Sequence, residues 1–301
     1  MPSKLNLMST YILLIIIWAT TPLAIVWSVA DINLYWALAL RFFLALPLAG
    51  ILLLLMRQAL PYDAQSIHSY IAGSCSFIGS QIFTYIATGY LSSGIIALMF
   101  GLAPIITGLI GHFVFRIHLH RLQWLGMCIA VAGLGIICMG GSGQHVQLTG
   151  ILLMLMSVLI YCASIFWVKK VNAPLAPMAQ ATGSILISSL IALCMVPFIW
   201  VDLPTQMPST KSVLALLYAV IMASLIAMFC YFKLVQNIKA TTLSLTTVMT
   251  PMLAIVVGAV FNHEKLTLMV LCGTAVLLLG LCVYFYKDFR ASRMLTRNLK
   301  S

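Results

Sequence analysis

Polar and aromatic side chains recur at helical spacing inside otherwise apolar stretches of this chain of 301 residues. Three stretches carry such stripes: Ser74, Phe77, Gln81, Tyr85 and Thr88; then Ser157, Tyr161 and Ser164; then Thr246, Thr247 and Thr250. Residues three or four apart lie on one face of a helix, so each stripe predicts a polar face on an apolar helix. We interpret these faces as the lining of a wet cavity, with helix–helix packing as the alternative.

Arg41 is the only charged residue well inside an apolar stretch. An ionisable residue within a membrane is a functional candidate. Its guanidinium could bind the carboxylate of a ligand, hydrogen-bond backbone carbonyl groups or extend toward the membrane surface. No Asp or Glu lies in the middle of any stretch, and His112, near the end of one, is the nearest titratable substitute. Proton coupling through a buried carboxylate is therefore not expected, and passive movement or exchange is.

Two prolines, Pro104 and Pro251, interrupt apolar stretches at positions 147 residues apart. A proline within a helix removes one hydrogen bond and frees a carbonyl group. At the same offset, three glycines of the first half recur in the second: Gly111, Gly126 and Gly133 become Gly258, Gly273 and Gly280. A fixed long offset indicates duplication. We predict that the paired prolines act as hinges or present a carbonyl to a ligand, whereas Pro22 and Pro47 only kink their helices.

The composition predicts an all-α integral membrane protein. Hydrophobic residues make up 63% of the chain and charged residues 7%, with a mean hydropathy of +1.12, whereas soluble domains are about 25% charged. Long continuous apolar runs favour helices over barrel strands. We predict ten spans, at 8–28, 34–56, 67–89, 93–115, 122–140, 147–168, 178–200, 212–234, 240–261 and 267–287.

The repeat divides these spans into five helices per half. Because five is odd, the second half enters the membrane in the opposite orientation. We therefore predict a first repeat at 1–140, an inverted second repeat at 147–287 and a basic tail at 288–301. Inverted halves suit alternating access through a central site. A duplication kept only for packing is the alternative.

The net charge of +11 lies mainly between the spans and in the tail. If the N-terminus is cytoplasmic, the outer loops hold only two basic residues, Lys211 and Lys265. This bias predicts that both termini are cytoplasmic, and it indicates a lipid bilayer rather than nucleic acid as the partner. All eight cysteines fall within spans and no pair has CxxC spacing, so we interpret them as packing residues rather than a disulfide frame or metal site.

Motifs for enzymatic chemistry are absent from the sequence: it has no paired intramembrane Asp, no HExxH and no Gly-rich loop with Lys. We therefore expect no enzymatic activity, cofactor or metal. The expected partner is a small-molecule substrate. The oligomeric state stays open, with a monomer plausible.

Five segments form a recognisable set: Trp18 to Pro22, Arg41 to Ala45, Ala97 to Pro104, Leu245 to Pro251, and His263 to Leu266 with the glycines that follow. In their order and spacing they resemble the EamA-domain members of the drug/metabolite transporter superfamily. The family commonly places a Glu after span four as well as after span nine. Here the position that matches Glu264 is Ile117, so a role for this acidic corner is in doubt in the first half.

The resemblance implies ten helices around a central cavity and export of amino acids or other small metabolites across a bacterial inner membrane. Aromatic or other neutral amino acids are the leading class. The alternatives are efflux of drugs and small toxic compounds, or a non-transporting role as a receptor or a partner in lipid biosynthesis. Because the family generally carries an Arg at this position, a structural role of Arg41 is slightly favoured. The predicted substrate-binding residues are Trp18, Thr21, Arg41, Gln81, Tyr85, Met99, Tyr161, Ser164, Thr247 and Thr250, with Pro104 and Pro251 as hinges.

Overall fold

The computed structural model describes residues 4–139, 147–203, 206–237, 246–264 and 266–298. These residues form ten helices and no β-strand. The helices of the first half are α1 (Lys4–Ser28), α2 (Leu34–Leu55), α3 (Ala64–Ser74, Cys75–Gly79 and Ser80–Ala87), α4 (Ser93–Phe100 and Ala103–Phe115) and α5 (Arg121–Met139). Those of the second are α6 (Leu148–Val171), α7 (Pro177–Ile199), α8 (Thr210–Tyr218, Ala219–Ile226 and Ala227–Asn237), α9 (Thr246–Phe261) and α10 (Leu268–Asn298).

Each predicted span overlaps one of these helices, and residues 240–245 of the ninth span lie outside the described residues. Eight of the described helices are long and apolar enough to cross a membrane, and Met249–Phe261 is a shorter apolar helix. The helix α3 is not among the eight, since serine, threonine and glutamine occupy much of it. The predicted breaks at the glycine cluster 140–143 and near Lys239 lie outside the described residues.

Polar residues in the loops fix where several helices begin. Asn33 precedes α2 and accepts a hydrogen bond from the Tyr35 N–H at 2.9 Å. Asp63 precedes α3 and accepts from the Ser66 N–H at 3.1 Å and from its hydroxyl at 2.6 Å. These two bonds hold the pKa of Asp63 below its ordinary value, because they stabilise the charged carboxylate. Such N-caps satisfy N–H groups that a helix leaves unpaired at its start.

The loop between α1 and α2 is tied to the start of α8 through Asp31. Its carboxylate accepts hydrogen bonds from the Ser209 hydroxyl, from the Ser209 N–H at 3.2 Å and from the Ser212 hydroxyl at 2.8 Å. The bond from the Ser209 hydroxyl, followed by that from Ser212, lowers the pKa of Asp31 below its ordinary value. This corner therefore joins a loop of the first half to a helix of the second.

The backbone repeats the 147-residue offset of the sequence. Arg116 follows α4 and His263 follows α9, and their φ angles of 57° and 51° are both left-handed. The next residue in each case donates its N–H to a glycine carbonyl, at 3.0 Å from Ile117 to Gly111 and at 3.2 Å from Glu264 to Gly258. A π-helical segment also interrupts the third helix of each half, at Cys75–Gly79 in α3 and at Ala219–Ile226 in α8.

The repeated glycines form one seam between α5 and α10. A Cβ atom on Gly126 would lie 2.7 Å from the Gly280 carbonyl oxygen, and one on Gly133 would lie 2.7 Å from that of Gly273. The pairing runs antiparallel, since the earlier glycine of α5 meets the later glycine of α10. The two contacts are equivalent under the repeat, because Gly126 corresponds to Gly273 and Gly280 corresponds to Gly133. The seam therefore brings the two backbones together where no larger side chain fits.

Contacts between the other helices also occur in equivalent pairs: a contact made by a helix of one half has a counterpart made by the corresponding helix of the other half. The helix α1 contacts α8 and α9, and α6 contacts α3 and α4. Two further contacts, of α2 with α7 and of α4 with α9, join equivalent helices. Helices of both halves therefore surround the middle of the bundle.

Candidate functional site

Aromatic side chains from four helices meet within the bundle. The Trp18 ring of α1 lies 5.5 Å from the Tyr231 ring of α8, and the Phe100 ring of α4 lies 6.1 Å from the Tyr161 ring of α6, edge to face. Each of these two ring pairs joins a helix of the first half to a helix of the second. We call these four residues the aromatic cluster. Two of its helices come from the first half of the chain and two from the second, so the cluster lies where the halves meet.

The members of the aromatic cluster keep solvent-accessible surface although they lie inside the bundle. All four are half-buried, and the two tyrosines are densely surrounded by protein atoms. The two tyrosines therefore border an internal space rather than lipid. Two of the four, Trp18 and Tyr161, are predicted substrate contacts, whereas Phe100 and Tyr231 are additions that the stripes did not indicate.

Arg41 is buried between helices of both halves, with only 6% of its surface exposed. Its Nε donates to the Ser224 hydroxyl of α8 at 3.1 Å, and its Nη1 donates to Gln81 Oε1 of α3 at 3.1 Å. Both partners are neutral. The structure thus brings together two predicted site residues, Arg41 and Gln81, and adds Ser224.

The serines of the predicted stripes serve helix packing in this conformation. The Ser157 hydroxyl of α6 lies 2.9 Å from that of Ser80 and 2.8 Å from that of Thr84, both on α3. Ser164 is buried and donates to the Ala72 carbonyl oxygen at 2.6 Å. The alternative of helix–helix packing therefore describes these serines, while Tyr161 and Gln81 of the same stripes contribute to the aromatic cluster and to the Arg41 site.

Three further predicted residues are either buried or hydrogen-bonded within their own helix. Met99 is fully buried in the apolar core, and Thr21 donates to the Ile17 carbonyl oxygen of its own helix at 2.6 Å. Tyr85 is also fully buried, and its hydroxyl has no hydrogen-bond partner among the described residues. Their roles in substrate binding stay predictions.

The predicted hinges differ from each other. Pro104 follows a break between the two segments of α4, with Gly101 and Leu102 outside both, whereas Pro251 lies within the continuous helix α9. Gly101 corresponds to Val248 in the second half, and a glycine costs a helix more than a valine. The Pro104 carbonyl oxygen accepts a hydrogen bond from the Tyr284 hydroxyl at 3.2 Å, so here it is not free for a ligand.

The third stripe is only partly described. The Thr250 hydroxyl, next to Pro251, is buried without a hydrogen-bond partner among the described residues. The side chain of Thr247 lies outside the described part of the structure. Substrate contact by either threonine stays a prediction.

The sequence profile of the EamA-like transporter family matches this chain twice, at residues 7–139 and at residues 148–286. The chain belongs to this family. It is therefore a multi-pass membrane protein of a transporter family, as the resemblance of its motifs implies. The two matches meet at the segment between α5 and α6.

Three curated relatives carry names that call them uncharacterized transporters. The chain is 23% identical to YvbV of Bacillus subtilis (strain 168) over 199 residues, which are 66% of this chain and 65% of that protein. It is 24% identical to the inner membrane transporter YedA of Escherichia coli (strain K12) over 190 residues, 63% of this chain and 61% of that protein. A transporter of Buchnera aphidicola subsp. Schizaphis graminum (strain Sg) is 25% identical over 257 residues, 83% and 84% of the two chains. The matches therefore span less than two thirds of the first two relatives.

A solved crystal structure shares the fold. It superposes with a TM-score of 0.67 at 17% sequence identity, covering 99% of this chain and 100% of the other.

Proposed function

We propose that this protein exports small metabolites by alternating access, with aromatic or other neutral amino acids as the leading substrate class. The aromatic cluster is the observation that carries this proposal. Trp18, Phe100, Tyr161 and Tyr231 offer ring surfaces to an apolar body, and Arg41 and Gln81 offer hydrogen-bonding groups where α2 and α3 meet α8. Binding sites for small molecules combine an apolar lining with a few placed polar groups in this way.

Alternating access is supported by the way the halves are built. Equivalent helices pack against each other at α5 with α10, α2 with α7 and α4 with α9, and the aromatic cluster draws on both halves. If the halves are inverted repeats, exchange of their conformations would open the cluster to the opposite side of the membrane. We propose that this exchange moves the substrate and that the substrate gradient drives it.

The experiment is counterflow in proteoliposomes with a panel of amino acids, without an imposed pH or sodium gradient. We expect uptake of aromatic or neutral members. Replacing Trp18→Leu should raise the KM about tenfold, because the variant loses an aromatic contact worth about 0.5–1.5 kcal/mol together with part of the ring's apolar burial.

Trp167→Leu is the matched control, since this tryptophan of α6 is 43% exposed on the outside of the bundle. Its KM should equal that of the wild type. Uptake of lipophilic cations without uptake of any amino acid would instead support drug efflux. Equal effects of the two tryptophan variants would contradict the placement of the site.

A further inference from the structure

Resting on the proposed function, the geometry points to Arg41 as the group that binds the carboxylate of the substrate. The guanidinium of Arg stays charged under all ordinary conditions and has five N–H donors in a fixed fork. In this structure two of its nitrogens donate to described residues, Ser224 and Gln81, and both acceptors are neutral. A buried positive charge that has only neutral partners is costly, and an arriving anion would offset that cost.

The acidic residues of this chain lie elsewhere. Asp31 is bound to Ser209 and Ser212, Asp63 caps α3, and Glu264 binds the start of α4. Asp202 follows the end of α7, and Asp288 belongs to the last part of α10, where side chains are not described. Among the described side chains, therefore, no acid forms an ion pair with Arg41 or competes there with the carboxylate of a ligand.

The second half shows that helix packing at this position does not require a positive charge. The residue that corresponds to Arg41 is Ser188, which is fully buried on α7 and donates its hydroxyl to the Ser184 carbonyl oxygen at 2.8 Å. The helices α2 and α7 pack against each other, yet only α2 carries the charge. This asymmetry favours a ligand-binding role over a purely structural one.

Both partners of Arg41 lie where a helix departs from regular α geometry. Its partner Ser224 lies in the π-helical segment of α8, and its partner Gln81 follows the π-helical segment of α3 by two residues. Such segments occur frequently at functional sites. Ser224 and Tyr231 lie two helical turns apart on α8, which is about 10 Å. An amino acid held at Arg41 by its carboxylate would therefore extend its side chain toward the aromatic cluster.

Binding of matched ligand pairs to the purified full-length protein tests this assignment. The probes are L-phenylalanine, L-leucine and L-threonine, each beside its carboxamide, with ligand-induced thermal stabilisation as the readout. At least one acid should bind the wild type more tightly than its amide. Arg41→Gln should weaken binding of that acid about ten- to hundredfold, as expected for charge-assisted hydrogen bonds, and weaken binding of the amide much less.

Two more variants keep the test decisive. Arg41→Lys retains the positive charge but loses the forked N–H donors, so it should weaken acid binding less than Arg41→Gln does. If the glutamine variant does not fold, the lysine variant provides the measurement. Ser188→Ala, the matched control, should keep the full preference for the acid. The assignment is overturned if the wild type binds acids and amides equally, or if neither Arg41 variant changes the preference. Absence of counterflow despite an Arg41-dependent acid preference would overturn the proposed export alone.

Discussion

Glu264 binds the first residues of α4 from the corner between α9 and α10. Its Oε1 accepts from the Ser93 N–H at 3.0 Å and from the Ser93 hydroxyl at 2.6 Å, and its Oε2 accepts from the Gly94 N–H at 3.3 Å. Asn262 donates to Oε1 at 3.0 Å. A carboxylate at a helix N-terminus satisfies unpaired N–H groups and interacts favourably with the helix dipole. Glu264 therefore joins α4 to the corner that follows α9.

Glu264→Gln should destabilise the protein by about 1–2 kcal/mol, measured as a lower melting temperature in detergent. The glutamine amide keeps one oxygen as an acceptor, but its NH₂ group faces an N–H or O–H donor of Ser93 or Gly94. Asp202→Asn is the control, because this carboxylate is exposed in the turn after α7 and its loss should leave the melting temperature unchanged. An unchanged melting temperature in Glu264→Gln would contradict the capping role.

Two features of individual residues, the charge of Arg41 and the isoleucine at position 117, could be recognised from the sequence alone. Arg41 stands out in any apolar helix because of its charge, and the departure at Ile117 is visible by comparison with Glu264. In the structure Ile117 is 56% exposed, and its carbonyl oxygen lies 2.9 Å from Nδ1 of His112. Ser224 and Tyr231 could not be predicted, because helical spacing indicates which residues share a face but not which distant helix that face meets.

At the scale of elements, the seam between α5 and α10 gives a sharp prediction. A Cβ atom on Gly126 would lie 2.5 Å from the backbone nitrogen of Tyr284, which cannot move without the whole helix. Gly126→Ala should therefore destabilise the protein by about 1–3 kcal/mol through overpacking. Thermal unfolding in detergent measures this loss.

Gly135→Ala provides the matched control on the same helix. A Cβ atom at Gly135 would meet no atom within 4 Å, and alanine favours a helix by up to about 1 kcal/mol over glycine. The control should match or exceed the wild type in stability. If both alanine variants melt at the same temperature, the close approach of the two helices in the seam is wrong.

Eight of the ten described helices were predictable because length and apolar composition determine a span almost alone, whereas α3 is too polar and the apolar part of α9 too short for that criterion. The π-helical segments were not, since a change of hydrogen-bond register leaves no mark in residue type or spacing. A proline alone does not predict a break, because the helix is interrupted before Pro104 but continuous at Pro251. What differs is the residue three positions earlier, Gly101 in one half and Val248 in the other.

At the scale of the whole molecule, inversion of the halves requires that equivalent loops face opposite sides of the membrane. Tyr62 lies between α2 and α3 and is 88% exposed, and Met207 lies in the corresponding loop between α7 and α8 and is 97% exposed. The distribution of basic residues predicts that the first loop is cytoplasmic and that the second faces outside.

A cysteine introduced at position 62 or 207 shows which side of the membrane its loop faces, because a membrane-impermeant maleimide labels only outer cysteines in intact cells. Met207→Cys should be labelled at once, and Tyr62→Cys only after the membrane is permeabilised. The wild type gives the background, because its eight cysteines lie within helices. Labelling of both positions from the same side would exclude the inverted arrangement, and with it the exchange of equivalent conformations on which the proposed transport cycle depends.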